Sequence, residues 1–164
     1  IIDKIAREGN PQAFVLPEGR ISLPNGGYRP YDSSFSGLKT AMLRLVQKLR
    51  EEDRELPIAD LAASFQDTVA RSLTKKTIAC ALDYGLDTIA VGGGVAANSG
   101  LRNHLEAAAQ KHNLQVYFPP LKFCTDNAAM IGCAACEHFD RGDVSPLTLG
   151  VKSRMSLSNV MELY

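Results

Sequence analysis

The sequence predicts an α/β fold in which helices cover a parallel sheet. From residue 87 onward the order is strand, helix, strand, helix, which joins parallel neighbours through helical crossovers. Thr88-Ile89-Ala90-Val91 is a short apolar run bounded by glycines, as a buried strand is. Upstream, two stretches repeat apolar residues at the spacing of amphipathic helices.

Taken in order, residues 1–10 read as a short helix stopped at Gly9-Asn10-Pro11. Ala13 to Leu16 and Ile21 to Leu23 read as short strands, with turn chemistry at Pro17-Glu18-Gly19 and Pro24-Asn25-Gly26-Gly27. Ser36-Gly37-Leu38-Lys39 opens an amphipathic helix whose apolar face is Leu38, Met42, Leu45, Val46 and Leu49. The charged run 50–55 reads as a solvated helix end or linker. Pro57 starts a longer helix that repeats Ile58, Leu61, Phe65, Val69 and Leu73 and runs to Gly85. After the strand at 88–91, a glycine turn leads into a helix over 98–111. Leu114 to Phe118 forms a second strand, halted by Pro119-Pro120, and Asp126 begins a last helix reaching Phe139. The chain therefore divides into 1–56, with a helix, a short hairpin and a helical segment, and 57–164, the strand–helix–strand–helix lobe.

A chain of 164 residues can bury a real core, and 45 % hydrophobic with 22 % charged residues is ordinary for a soluble globular protein. The 18 basic and 18 acidic residues cancel, so bulk charge gives no support to a free-standing nucleic-acid binder. No apolar run approaches the ~20 residues that span a bilayer. Ile1-Ile2-Asp3-Lys4 does not read as a signal peptide. A cytoplasmic location without a membrane partner is expected, an organellar one remaining open. The missing initiator Met reads as a fragment or a processed piece.

Cys80, Cys124, Cys133 and Cys136 are few and set in apolar context, which favours reduced thiols. Cys133 and Cys136 form a CxxC with His138 nearby, but the second ligand pair that zinc needs is missing. The motif sits in a helical pattern, where cysteine packs as a small hydrophobe. His104 and His112 lie on a polar helix and read as surface residues.

The most informative stretch is Val91-Gly92-Gly93-Gly94-Val95-Ala96-Ala97-Asn98. Glycines after a strand let a backbone approach a ligand, and the next helix offers free N–H groups. Gly92, Gly94 and Ala97 satisfy the dinucleotide pattern GxGxxA, but the acid that should hold the ribose is absent: the next strand ends in two prolines. A tight turn without ligand and a binding turn built on Gly93, Gly94 and Asn98 both stand at this point. Asn98 can cap the helix and face a ligand. Adjacent strand-to-helix connections of a parallel sheet open at one edge, so Asn98 and Asp126 are expected to face one cleft. Asp126, in Phe123-Cys124-Thr125-Asp126-Asn127-Ala128-Ala129-Met130-Ile131, suits either a helix cap or a ligand site.

That stretch, together with Gly92-Gly93-Gly94-Val95-Ala96-Ala97-Asn98 and Leu101-Arg102, resembles the two late motifs of the TsaD/glycoprotease-like family. Ser34-Phe35-Ser36-Gly37-Leu38-Lys39-Thr40 is similar to a third family motif, and Ile2-Asp3-Lys4 to the stretch after a Gly-Gly-Pro turn. The resemblance implies an actin/Hsp70-like (ASKHA) fold, of which this chain would hold a ribonuclease-H-like C-terminal lobe with inserted helices. It implies transfer of a threonylcarbamoyl group from threonylcarbamoyl-adenylate to the adenine beside the tRNA anticodon. It further implies one divalent metal ion, iron or zinc, and accessory proteins. Asp126 matches a metal ligand, and Asn98 and Asp3 match contacts to the adenylate-type substrate. The family's HxxxH pair of metal ligands, in its first lobe, has no counterpart at His104, His112 or His138. The chain therefore reads as a C-terminal fragment lacking the N-terminal lobe, with half a site and no assignable general base. A second reading is a non-catalytic nucleotide-binding or assembly module. A metallopeptidase finds no HExxH here.

Overall fold

The computed structural model describes residues 1–53, 55–150 and 153–154. Arg54, within the charged run, lies outside the described residues. The chain forms two compact units, Ile1–Cys124 and Thr125–Tyr164.

In the first unit the elements follow as α1 (Ile2–Ala6), α2 (Ser36–Glu51), α3 (Ile58–Asp83), β1 (Thr88–Ala90), α4 (Ser99–Lys111) and β2 (Gln115–Tyr117). These helices and the two paired strands lie close to where periodicity and stop signals put them. Pro57 precedes the first turn of α3, and Gly85 accepts a φ of 62° just past its end. β1 and β2 pair in parallel, Ile89 opposite Val116, with α4 as the crossover. An α/β architecture with a small parallel sheet is therefore present.

The core lies where α3, α4 and the sheet meet. Ile78 and Ala81 of α3, Ile89 of β1, and Leu105 and Ala109 of α4 form one buried cluster. Leu105 is 2 % exposed, and such burial stabilises by about 1.5–3 kcal/mol per leucine side chain. Elsewhere α3 buries small residues, among them Ala63, Ser64, Ala70 and Ser72, so its neighbours approach closely. α1 and α4 both pack on it.

The two early strands are not formed. From Ala13 to Leu16 the chain is irregular, with Ala13 N–H bonded locally to Asn10 O and Phe14 N–H tied to α3 instead of a ladder. Phe14 N–H donates to Ser64 Oγ at 3.2 Å, and that hydroxyl donates to Asn10 O at 3.3 Å. The segment at 21–23 makes one antiparallel bridge, Ser22 opposite Tyr28, across the predicted glycine turn. The Lys76 ammonium ties the chain on both sides of this bridge, donating to Gly19 O at 2.7 Å before it and to Ser33 Oγ at 3.0 Å and Asp32 O after it.

The second unit contains α5 (Ala128–Asp140). Its cap is Asn127, not Asp126: the Asn127 side chain accepts from Met130 N–H at 2.9 Å. Cys133 and Cys136 are exposed, so the expectation that they pack as small hydrophobes does not hold, while the four cysteines are free thiols as expected. Among the described residues no helix is long and apolar enough to cross a membrane.

Candidate ligand cleft at the glycine turn

The turn after β1 is shaped by its glycines. Val91 N–H still donates to Tyr117 O at 3.0 Å, extending the ladder by one residue. Gly93 then takes φ 86°, a left-handed value that costs a side-chain-bearing residue dearly. Gly94 to Ala97 form a single 3-10 turn, closed by Ala96 N–H on Gly93 O at 3.0 Å. The chain leaves it extended at Asn98 and enters α4 at Ser99.

Asn98 caps α4, its Oδ1 accepting from Leu101 N–H at 2.9 Å. Its Nδ2 donates to Gln66 Oε1 of α3 at 2.8 Å. These bonds fix which end of the amide points where, and leave one amide hydrogen uncommitted by them. Asp3 arrives from α1. Its Oδ1 accepts from the Ser99 hydroxyl at 2.6 Å and from Ser99 N–H at 3.2 Å, and its Oδ2 faces Arg7 at 3.4 Å.

Asp3, Gly94 and Asn98 thus share a cleft of about 510 Å³, walled also by Ile1, Val95 and Ala97. Gly93 shapes the turn without lining it. Asp126 belongs to the second unit, where it is exposed and takes no hydrogen bond among the described residues. Gln66 and Ser99 escaped the sequence reading. Ser99 carries a weak signal as the residue after a helix cap, and Gln66 carries none. His104 is not a plain surface residue: its Nε2 lies 3.0 Å from Asp67 Oδ1, whose other oxygen holds Arg71.

Burial pushes the Asp3 carboxyl up, but the two Ser99 hydrogen bonds and the Arg7 charge outweigh it, so its pKa falls below the ordinary 3.8. A carboxyl lowered in the folded state stabilises above its unfolded pKa, and that contribution is lost as pH falls through the folded value. Asp3→Asn gives it up at every pH. The melting-temperature gap between wild type and Asp3→Asn should therefore be widest from roughly pH 5 to 7 and shrink as pH falls below the ordinary 3.8. A gap that stays constant over this range would mean that the ionised carboxylate holds nothing.

Chemically, the cleft offers an acceptor-only carboxylate, an amide N–H and backbone at a glycine turn, which suits a ligand bearing hydroxyl or phosphate groups. No residue in it is placed as a nucleophile. Among the described residues no three His, Cys, Asp or Glu side chains gather, so the chain's own residues do not fit a metal centre.

An α/β protein with an open cleft at the strand-to-helix turn is the class that the fold and site define. The family model described as "tRNA N6-adenosine threonylcarbamoyltransferase" matches residues 1–133. The chain belongs to this TsaD family. Proteins named tRNA N6-adenosine threonylcarbamoyltransferase from Nostoc punctiforme and Gloeothece citriformis are each 72 % identical to it over 164 residues, 100 % of this chain and 47 % of theirs. One from Synechocystis sp. is 72 % identical over 163 residues, 99 % of this chain and 47 % of its own. The chain spans about half the length of the curated relatives it matches.

Proposed function

We propose that the chain is the C-terminal part of a tRNA threonylcarbamoyl transferase, and that the cleft at the glycine turn holds the adenylate portion of its donor. The observation that carries this is the meeting of Asp3, Gly94 and Asn98 on one cleft, within residues that match the family. Gly93 gives the turn its shape. In the transfer the exocyclic amine of a tRNA adenine bonds to the carbamoyl carbon. The bond from that carbon to the adenylate oxygen breaks, AMP leaves, and the amine gives up a proton. The residues of this chain bind and orient the adenylate. No general base is assigned.

The wider reading is an actin/Hsp70-like (ASKHA) fold, with residues 57–164 as a ribonuclease-H-like lobe and 1–56 leading into it. The parallel pair with its helical crossover supports it. Asp126 serves as one ligand of a divalent ion, iron or zinc, whose other ligands come from an N-terminal lobe outside this chain. The intact enzyme works in the cytoplasm with accessory proteins of the same modification.

The test uses the intact transferase containing this chain. It should modify tRNA when supplied with threonylcarbamoyl-adenylate, and should bind AMP. Asn98→Ala should weaken AMP binding by about tenfold or more, while its cap loss of ~1 kcal/mol shifts the melt only slightly. Unmodified tRNA would overturn the activity. Equal AMP affinity in parent and variant would make Asn98 a cap alone.

A further inference from the structure

One side chain ties together the two connections that follow β1 and β2. Arg102, on the first turn of α4, donates from Nε to the carbonyl of Ala96 in the glycine turn at 2.6 Å. Its Nη2 donates to the carbonyl of Pro119, just past β2, at 2.8 Å and reaches Cys124 Sγ at 3.5 Å. The guanidinium also lies 4.7 Å from the centre of the Phe118 ring, which packs against the core cluster. Each carbonyl lies outside the sheet ladder, so the cation supplies a partner that secondary structure does not.

We propose that Arg102 is a positioning residue for the cleft, acting through the peptide of Ala96. The inference rests on the nucleotide reading given above. Arg102 is not part of the cleft wall, but Ala96 sits between Val95 and Ala97, which are. Holding the Ala96 carbonyl fixes the plane of the peptide that joins Ala96 to Ala97, and so the direction in which the wall presents its groups beside Asn98. The grip on Pro119 anchors the other end to the exit of β2. The turn is set against the sheet as well as against its own helix. Ala96 is itself only 1 % exposed. Its burial keeps the turn in place without Arg102, but the orientation of the peptide is lost. A planar fork can bond two carbonyls in fixed directions from one charge, whereas a lysine ammonium is a compact point charge on a flexible stem.

The experiment compares wild type, Arg102→Lys and Arg102→Ala in the intact transferase, well below the melting temperature of each. Two readouts are taken: AMP affinity by calorimetry, and alkylation of Cys124 by iodoacetamide, mapped by mass spectrometry. Cys124 is 2 % exposed, while Cys133 and Cys136 are exposed and serve as internal references. AMP affinity should fall about tenfold in both variants, because Lys restores the charge but not the fork. Cys124 should react about tenfold faster than in wild type relative to Cys133, as the segment beyond β2 loosens. Lys is the milder change, and its result stands if the Ala variant does not fold. Unchanged AMP affinity in a folded Arg102→Lys protein would overturn the inference, even with Cys124 uncovered, because Arg102 would then clasp the exit of β2 alone. Full rescue by Lys would overturn the argument from the fork. Failure of the wild type to bind AMP would instead overturn the nucleotide reading of the cleft.

Discussion

Gly9→Ala should cost at least about 3 kcal/mol of folding stability, at the upper end of what overpacking does. A Cβ at Gly9 would run into the backbone carbonyl of Ala59 and lie 2.7 Å from the backbone nitrogen of Asp60, at the start of α3. Neither obstacle is the movable end of a side chain, so relief requires the segment after α1 to back away from α3. Asn10 N–H donates to Asp60 Oδ1 at 2.7 Å beside it, and that bond would be strained as well. For a chain of this size the loss corresponds to a fall of about 6–12 °C in melting temperature. The site is involved too, because the docking of α1 is what delivers Asp3 to Ser99. Gly37→Ala is the control. It sits in the first turn of α2 with open space around it, and is expected to be neutral or to stabilise by about 0.4–1 kcal/mol. Equal melting of Gly9→Ala and wild type would show that α1 does not lie so close to α3.

What could be read from the sequence is what short-range pattern encodes. α2 and α3 follow from apolar spacing, α4 follows from the glycine turn that leads into it, and the parallel pair follows from two apolar runs separated by a helix. The strand expected near Ala13 fails for a reason that no local pattern displays: Phe14 N–H is met by Ser64, on α3 and 50 residues along the chain. The segment at Ile21 keeps only short hairpin bonds, Arg29 N–H to Ile21 O and Leu23 N–H to Gly27 O. The cleft divides in the same way. Asn98 as a helix cap is legible from its place after the glycines. The Asp3–Ser99 pair, 96 residues apart, is a product of tertiary packing that composition and spacing do not carry, and only the family resemblance pointed to Asp3. Gln66 is one polar residue among several on a long amphipathic helix. Its role appears only once α4 is laid against α3.

The last helix shows a different limit. Thr125, Asp126 and Asn127 are all good capping types with nearly equal preferences, so local chemistry could not choose among them. The fold chose Asn127, the last of the three, and this sharpens the test of Asp126. Because the Asn127 side chain already accepts the Met130 N–H, Asp126→Asn removes no cap hydrogen bond. It removes one negative charge just before the helix start, worth about 0.3–1 kcal/mol at an exposed site. Asn127→Ala, by contrast, should cost ~1 kcal/mol as a lost cap. In the intact transferase, Asp126→Asn should therefore melt within about 1 kcal/mol of wild type. If Asp126 is a metal ligand, the variant should also lose bound metal and tRNA modification, since a neutral amide oxygen holds a divalent cation far more weakly than a carboxylate does. Asn127→Ala should melt lower yet keep its metal. The measurement is elemental analysis of the purified proteins beside thermal melts, and it reads the ligand directly. A crossed result decides the matter: metal retained in Asp126→Asn would leave its carboxylate as an exposed charge before a helix that another residue caps.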